Sequence, residues 1–287
     1  MSKRFAFWSA LAIVGAAFAA VYWHVIAKLV YDWMNDGNYS HGFLIVPIAG
    51  YLAWERRDRV AAAPLRPSAV GLVVLVGSLI VLTAGVLGAE LFLSRVSMIG
   101  VAVGIILFTS GWAVVRLLAF PLAFLLLMIP IPAIVFNQIA FPLQLLASKG
   151  AEFTLTALAI PVLREGNVIV LANTSLEVAE ACSGIRSLIS LVTLAIVFGY
   201  FTDKRVWVRT VLALAAVPVA VLSNAVRVAG TGVAAHYFGS AAAEGFFHTF
   251  SGWMLFLVAF VMLFGIHKAL GGSPAAPAGR DVQVAQV

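Results

Sequence analysis

Residues 68–88 read SAVGLVVLVGSLIVLTAGVLG, an apolar run without a single charge. A helix needs about 20 such residues to cross the ~30 Å hydrocarbon core of a bilayer, and this stretch meets that length. Working outward by the same rule gives further segments at residues 6–30, 42–54, 94–111, 115–130, 183–201, 210–234 and 247–267, of which 42–54 is the shortest. The whole chain agrees with its parts. Of 287 residues, 63% are apolar even with glycine left out, and 10% are charged where ~25% is usual; the mean hydropathy is +1.06. A water-soluble globule could not bury so much apolar surface. The composition excludes a soluble enzyme, a disordered chain and a secreted disulfide scaffold. It predicts an all-α polytopic membrane protein with about eight transmembrane helices.

Residues 131–182 break the pattern. Ile131-Pro132 ends a helix, and residues 136–158 form an amphipathic stretch carrying Gln138, Gln144, Lys149 and Glu152, which reads as an interfacial or re-entrant helix. Arg164-Glu165-Gly166-Asn167 follows, and then the runs 168–171 and 175–179 with the turn Ala172-Asn173-Thr174 between them, which read as a short hairpin on the periplasmic side. The opening residues Met1-Ser2-Lys3-Arg4 and the run that follows resemble a signal peptide. That run is longer than an h-region of about 7–15 residues, so an uncleaved first span is expected. Residues 1–270 are expected to form one transmembrane domain, and the Gly-, Pro- and Ala-rich residues 271–287 a disordered cytoplasmic tail.

The net charge is +6 and the isoelectric point near 9.8, yet the basic residues sit in short clusters between apolar runs. No basic stripe interleaved with aromatics exists, so nucleic acid is excluded as a partner. Basic residues mark cytoplasmic loops. With the N-terminus inside and eight spans, Arg56, Arg57, Arg59, Arg66, Lys204, Arg205 and Arg209 fall inside. Asp32, Asp36, Glu90, Glu152, Glu165, Glu177, Glu180 and Glu244 fall outside. Both termini are then cytoplasmic.

Polar groups inside a bilayer are costly, and each is a functional candidate by default. Cys182, the one cysteine, and Arg186 lie at the start of the sixth segment, Asn224 and Arg227 in the outer half of the seventh, and His248 at the opening of the eighth. The orientation brings all of them to one depth near the outer face. A thiol next to a cation or a helix N-terminus becomes a thiolate more readily. Cys182 therefore reads as a nucleophile for acyl transfer, His248 as acid and base, and Arg227 as the stabiliser of an oxyanion. Other readings stand beside this one: an inert buried cysteine, an interfacial histidine, and an arginine paired with Glu177, Glu180 or Glu244. His236 competes with His248, and Ser183 with Cys182. A lone cysteine rules out a Cys-based zinc cluster. None of the five histidines is followed by glutamate, so the zinc-protease motif His-Glu-x-x-His is absent. No aspartate is placed inside a span, which excludes an intramembrane aspartyl dyad. No metal or cofactor is expected.

The stretch Glu180-Ala181-Cys182-Ser183-Gly184-Ile185-Arg186-Ser187, followed by Asn224-Ala225-Val226-Arg227-Val228 and by His248 before Ser251-Gly252-Trp253, resembles the exosortase/archaeosortase family of membrane transpeptidases. Tyr39-Ser40-His41-Gly42, Pro130-Ile131-Pro132 and Arg164-Glu165-Gly166-Asn167 extend the likeness over residues 30–268. The bacterial branch is favoured, because its third catalytic residue is a histidine. The resemblance implies Cys182 as nucleophile with Arg227 and His248 as partners; Arg186, Asn224, Ser183, His41 and Glu180 are candidate lining residues. It also implies substrates that are exported proteins ending in a Pro-Glu-Pro signal, an apolar helix and a basic cluster (a PEP-CTERM tail). The enzyme would cut at the signal and pass the chain to an extracellular polysaccharide or lipid acceptor, working in the inner membrane with its site at the periplasmic face. The alternative is a polytopic permease or assembly component for exopolysaccharide export, with Cys182 inert and Arg227 lining a pathway. The sequence shows no internal repeat of the kind that marks transporter folds.

Overall fold

The computed structural model describes residues 2–172, 174–178, 185–239 and 246–272. The chain divides into two compact units, Met1–Ala133 and Ile134–Val287. All eight predicted segments fall on helices. Four of these helices are long and apolar enough to cross a membrane: Ala12–Asn35, Val70–Leu87, Leu91–Thr109 and Val206–Phe238. Trp112–Met128 with Ala133–Ala157 makes a fifth if it is one broken span, and the other predicted segments are shorter apolar helices. The fold is thus polytopic and all-α in its membrane part, with four to five candidate spans among the described residues.

The first unit contains α1 (Ser2–Asn35), α2 (Gly42–Glu55), the short α3 (Arg57–Ala62), α4 (Val70–Leu87), α5 (Leu91–Thr109) and α6 (Trp112–Phe124), which tightens into a 3₁₀ turn at Leu125–Met128. Helices α4 and α5 form a hairpin. Glu90 caps α5 by accepting from the Leu93 N–H at 3.0 Å. Lipid offers no hydrophobic drive for helices to associate, so close backbone approach has to do the work. Glycines supply it: a Cβ on Gly104 would lie 2.8 Å from the Leu75 nitrogen, and one on Gly71 would collide with the Phe108 backbone.

Arg95 of α5 is 2% exposed and donates to Asp32 of α1, which also accepts from Lys28 at 2.6 Å. Asp32 therefore lies inside a candidate span, against the expectation that no aspartate does so. It serves as counter-ion to two cations. At the end of α1, Trp33 donates its indole N–H to the Met128 carbonyl at 2.9 Å. A side chain at Gly42 would strike that indole, which gives the Tyr39-Ser40-His41-Gly42 stretch a packing role.

The second unit opens with α7 (Ala133–Ala157), which covers the predicted amphipathic stretch. A three-stranded antiparallel sheet follows, β1 (Val162–Glu165), β2 (Val168–Leu171) and β3 (Thr174–Glu177), in the order β1-β2-β3. The predicted hairpin is β2–β3. Arg164 and Glu165, which the sequence reading left without an element, belong to an extra strand, β1, and Gly166 (φ +65°) and Asn167 form the turn from β1 into β2. Gln144, Ser148 and Glu152 stand at i, i+4 and i+8 on one face of α7 and hold this sheet. Asn167 donates to Gln144 (3.5 Å), Ser148 to the Gly166 carbonyl (2.9 Å) and Arg164 to Glu152 (2.7 Å). This polar face of α7 is thus satisfied by protein.

Three helices complete the unit: α8 (Ile185–Thr202), α9 (Val206–Phe238) and α10 (Phe246–Ala269). They pack through small residues, with Leu191 and Ala195 of α8 against Ala216 and Ala220 of α9 and Ala259 and Leu263 of α10. Their shared end is tied at the α8–α9 loop. Asp203 accepts from the Arg205 backbone N–H (2.8 Å) and guanidinium (2.7 Å) and lies 3.5 Å from the His267 Nε2, while Arg205 also donates to the Gly271 carbonyl at 3.1 Å. The guanidinium holds the Asp203 carboxyl well below the usual carboxylate range, and the carboxylate raises Arg205 in return.

Candidate active site

Cys182, Ser183 and Glu180 lie outside the described residues, in the connection between β3 and α8. Val178 donates its N–H to the Asn167 carbonyl at 2.9 Å and is buried in one cluster with Ala147, Ala151 and Leu155 of α7 and Val228 and Ala229 of α9. The chain therefore leaves the sheet against the part of α9 that carries Arg227, and it re-enters a helix at Ile185.

Between α8, α9 and α10 lies a narrow cleft of about 20 Å³, room for about one water molecule. Its α9 wall is the stripe Ala220, Ser223, Asn224 and Arg227, spaced i, i+3, i+4 and i+7 and so sharing one helix face. Ser187 and Leu191 line it from α8, and Phe256 and Ala259 from α10. Asn224 is buried at 5% exposure, and Arg227 is half-buried at the lip. At about 1.5 Å per residue, Arg227 stands roughly 10 Å beyond Ala220, away from the Asp203 end. Position 248 on α10 lies about 16 Å beyond Ala259 in the same direction; its side chain is outside the described residues. The arrangement puts polar groups and a cation at the open end of a cleft whose far end is apolar.

Of the remaining candidates, Arg186 is exposed while its neighbour Ser187 faces the cleft. His236 follows Arg227 by nine residues, half a turn out of phase, and packs edge-to-face on Tyr237 at 4.8 Å. It leaves α9 on the side away from Arg227. His41 belongs to the first unit, where it precedes α2 and donates from Nε2 to the Leu127 carbonyl at 3.3 Å. Burial lowers its pKa from the ordinary value and keeps the ring neutral. Ser40 makes no cap of α2, as its hydroxyl bonds the Gly37 carbonyl at 3.2 Å. Among the described residues no group of His, Cys, Asp and Glu could hold a metal ion. Sequence reasoning missed Ser187 and Ser223; the one trace was that Ser223 falls on the same stripe as Arg227.

Residues 33–265 match the family profile described as transmembrane exosortase. No curated protein and no solved structure compared with the chain matches it.

Proposed function

This chain belongs to the transmembrane exosortase family, and from that premise we propose that it is a cysteine-type membrane transpeptidase. It cleaves the C-terminal tail of exported proteins at a Pro-Glu-Pro signal and transfers them to a polysaccharide or lipid acceptor. The helices α8, α9 and α10 support this reading: the family match covers α8, α9 and most of α10, and Arg227 and Asn224 share one face of α9 toward the cleft. In the proposed topology the chain crosses the inner membrane eight times. The Asp203 end, rich in basic residues, lies in the cytoplasm, and the lip of the cleft faces the periplasm.

In the proposed reaction the Cys182 thiolate attacks the carbonyl carbon of the scissile peptide bond. Arg227 stabilises the resulting oxyanion with fixed N–H donors. His248 passes a proton to the departing amine, the C–N bond breaks, and a thioester remains. A hydroxyl or amine of the acceptor then attacks the thioester, gives its proton to His248, and releases the Cys182 thiolate. Position 248 precedes Ala259 by eleven residues and three turns, which returns it to within about 20° of the same helix face. This supports His248 over His236.

The test is tail processing in cells. Cys182→Ala and Cys182→Ser should leave the protein in the membrane and abolish cleavage of a co-expressed PEP-CTERM substrate, followed by the mass of its C-terminal fragment. Normal cleavage by the alanine variant would rule out the thioester.

A further inference from the structure

A phospholipid asks two things of a protein: apolar surface for its acyl chains and, at headgroup level, groups that suit its phosphate. One end of the first unit offers both side by side. Helix α2 begins beside the Leu125–Met128 turn, where His41 donates to the Leu127 carbonyl. It packs along α6, so its far end and α3 lie by the start of α6. The connection 63–69 is tied to the same place. Arg66 donates its N–H to the Ser110 carbonyl at 3.1 Å and Ser68 to the Leu107 carbonyl at 3.2 Å. Gly111 turns there with φ +90°, and a Cβ on it would strike the Arg66 carbonyl.

These ties gather Arg57, Arg59, Arg66 and Arg116 at one end of the unit, all exposed. Glu55 and Asp58 accompany them, and Asp58 pairs with Arg57 at 3.7 Å, so positive charge is left in excess. Other arginines of the chain are spent on protein: Arg95 on Asp32, Arg164 on Glu152, Arg205 on Asp203 and Arg209 on the Asp203 and Tyr200 carbonyls. The guanidinium groups of Arg59, Arg66 and Arg116 have no partner among the described residues. Between them stand apolar side chains. Trp54, Leu65 and Trp112 are each at least half exposed, and Trp112 shares a face of α6 with Arg116 at i and i+4. On α2 a column runs from Tyr51 to Trp54, with ring centroids 6.1 Å apart, and on to Arg57, whose guanidinium lies 4.1 Å from the Trp54 ring. Leu44, two turns before Tyr51, continues this exposed apolar surface along the helix.

A free phosphate would engage the arginines and leave the tryptophans in water. An acidic protein would meet the arginines and miss the column that descends α2. A lipid with a net-negative phosphodiester engages both, because a guanidinium fork binds phosphate oxygens in pairs. We propose that this end of the first unit is a binding face for anionic phospholipids. Arg59, Arg66 and Arg116 hold the headgroup, Trp54 and Trp112 sit at its level, and an acyl chain lies along Tyr51 and Leu44. In the proposed topology the face meets the cytoplasmic leaflet.

The experiment titrates the full-length protein, solubilised in a neutral detergent, with phosphatidylglycerol or phosphatidylcholine of the same acyl chains and counts bound lipids by native mass spectrometry. The first phosphatidylglycerol should bind on the order of tenfold more tightly than phosphatidylcholine. The Arg59→Gln, Arg66→Gln, Arg116→Gln triple variant should bring the two lipids within about twofold, while Lys204→Gln, Lys268→Gln, which removes two exposed cations of the second unit, should keep the wild-type preference. Excess glycerol phosphate should leave phosphatidylglycerol binding unchanged. Displacement by glycerol phosphate would show a site for free anions and overturn the proposal. Equal affinity of the wild type for both lipids, or an equal loss in the lysine variant, would overturn it too and leave the face to an acidic protein. If the triple variant fails to accumulate, the wild-type preference and the single variants Arg66→Gln and Arg116→Gln decide, each expected to lose about threefold of the preference.

Discussion

An arginine presents a planar fork of donors, where a lysine presents one ammonium on a flexible stem. At the lip of the cleft this difference separates catalysis from mere charge. Arg227→Lys should lower tail cleavage on the order of 10²-fold, the typical loss for one preorganised oxyanion donor, while the variant still accumulates in the membrane. Near-normal cleavage would remove Arg227 from the site. His41 gives a second residue-scale expectation, read as stability. Its folded pKa lies below the ordinary 6.5 because burial disfavours the imidazolium. The unfolded chain therefore binds the proton first, so the contribution of His41 is complete above about pH 6.5 and is lost as pH falls below that value. Thermal unfolding between pH 5 and 8 should show this loss in the wild type and a smaller one in His41→Gln. Arg227 and Asn224 are legible in the sequence because a charge and an amide stand out in an apolar helix. Ser187 and Ser223 are not, since serine in a membrane helix usually bonds its own backbone; only the packing of three helices reveals that the two share a cleft.

Helices α4 and α5 illustrate the limits of sequence reading at the next scale. Their existence follows from apolar length alone, but the seam between them depends on which glycines meet the neighbouring backbone. Gly104→Leu should force α4 and α5 apart and destabilise the hairpin by about 1–3 kcal/mol, the usual effect of overpacking. Gly77→Leu, on α4 with open space around it, should be neutral or slightly stabilising because leucine is the better helix former. Equal losses in detergent-unfolding measurements would show that the glycine seam is not what joins the pair. The sheet was harder to read for another reason. Four-residue strands give too short an alternation to separate Arg164-Glu165 from the turn beside them, and β1 becomes visible only through its pairing with β2 and the Arg164–Glu152 ion pair. The amphipathic pattern of α7 was legible as a pattern, while the sheet that Gln144, Ser148 and Glu152 hold was not.

For the molecule as a whole, the charge asymmetry of the loops makes a topology that labelling can check. In a Cys182→Ser background, single cysteines near Asp36, Glu165 and Glu244 should react with an impermeant reagent added from the periplasm, and those near Arg57 and Arg205 should be protected. The reverse pattern would place the cleft on the side that exported tails have already left. The length of α9 bears on what happens there. Its 33 residues extend about 50 Å, against a hydrocarbon core of about 30 Å. In the proposed topology, counting from Thr210 just past the cytoplasmic Arg209, about 20 residues fill the core and end near Gly230, and the last two turns of α9 extend beyond it beside the sheet. In the proposed reaction a thioester held near that boundary would be within reach of bulk water, so hydrolysis and transfer would compete for it, and the share of chains set free rather than attached would follow how densely the acceptor crowds the membrane surface.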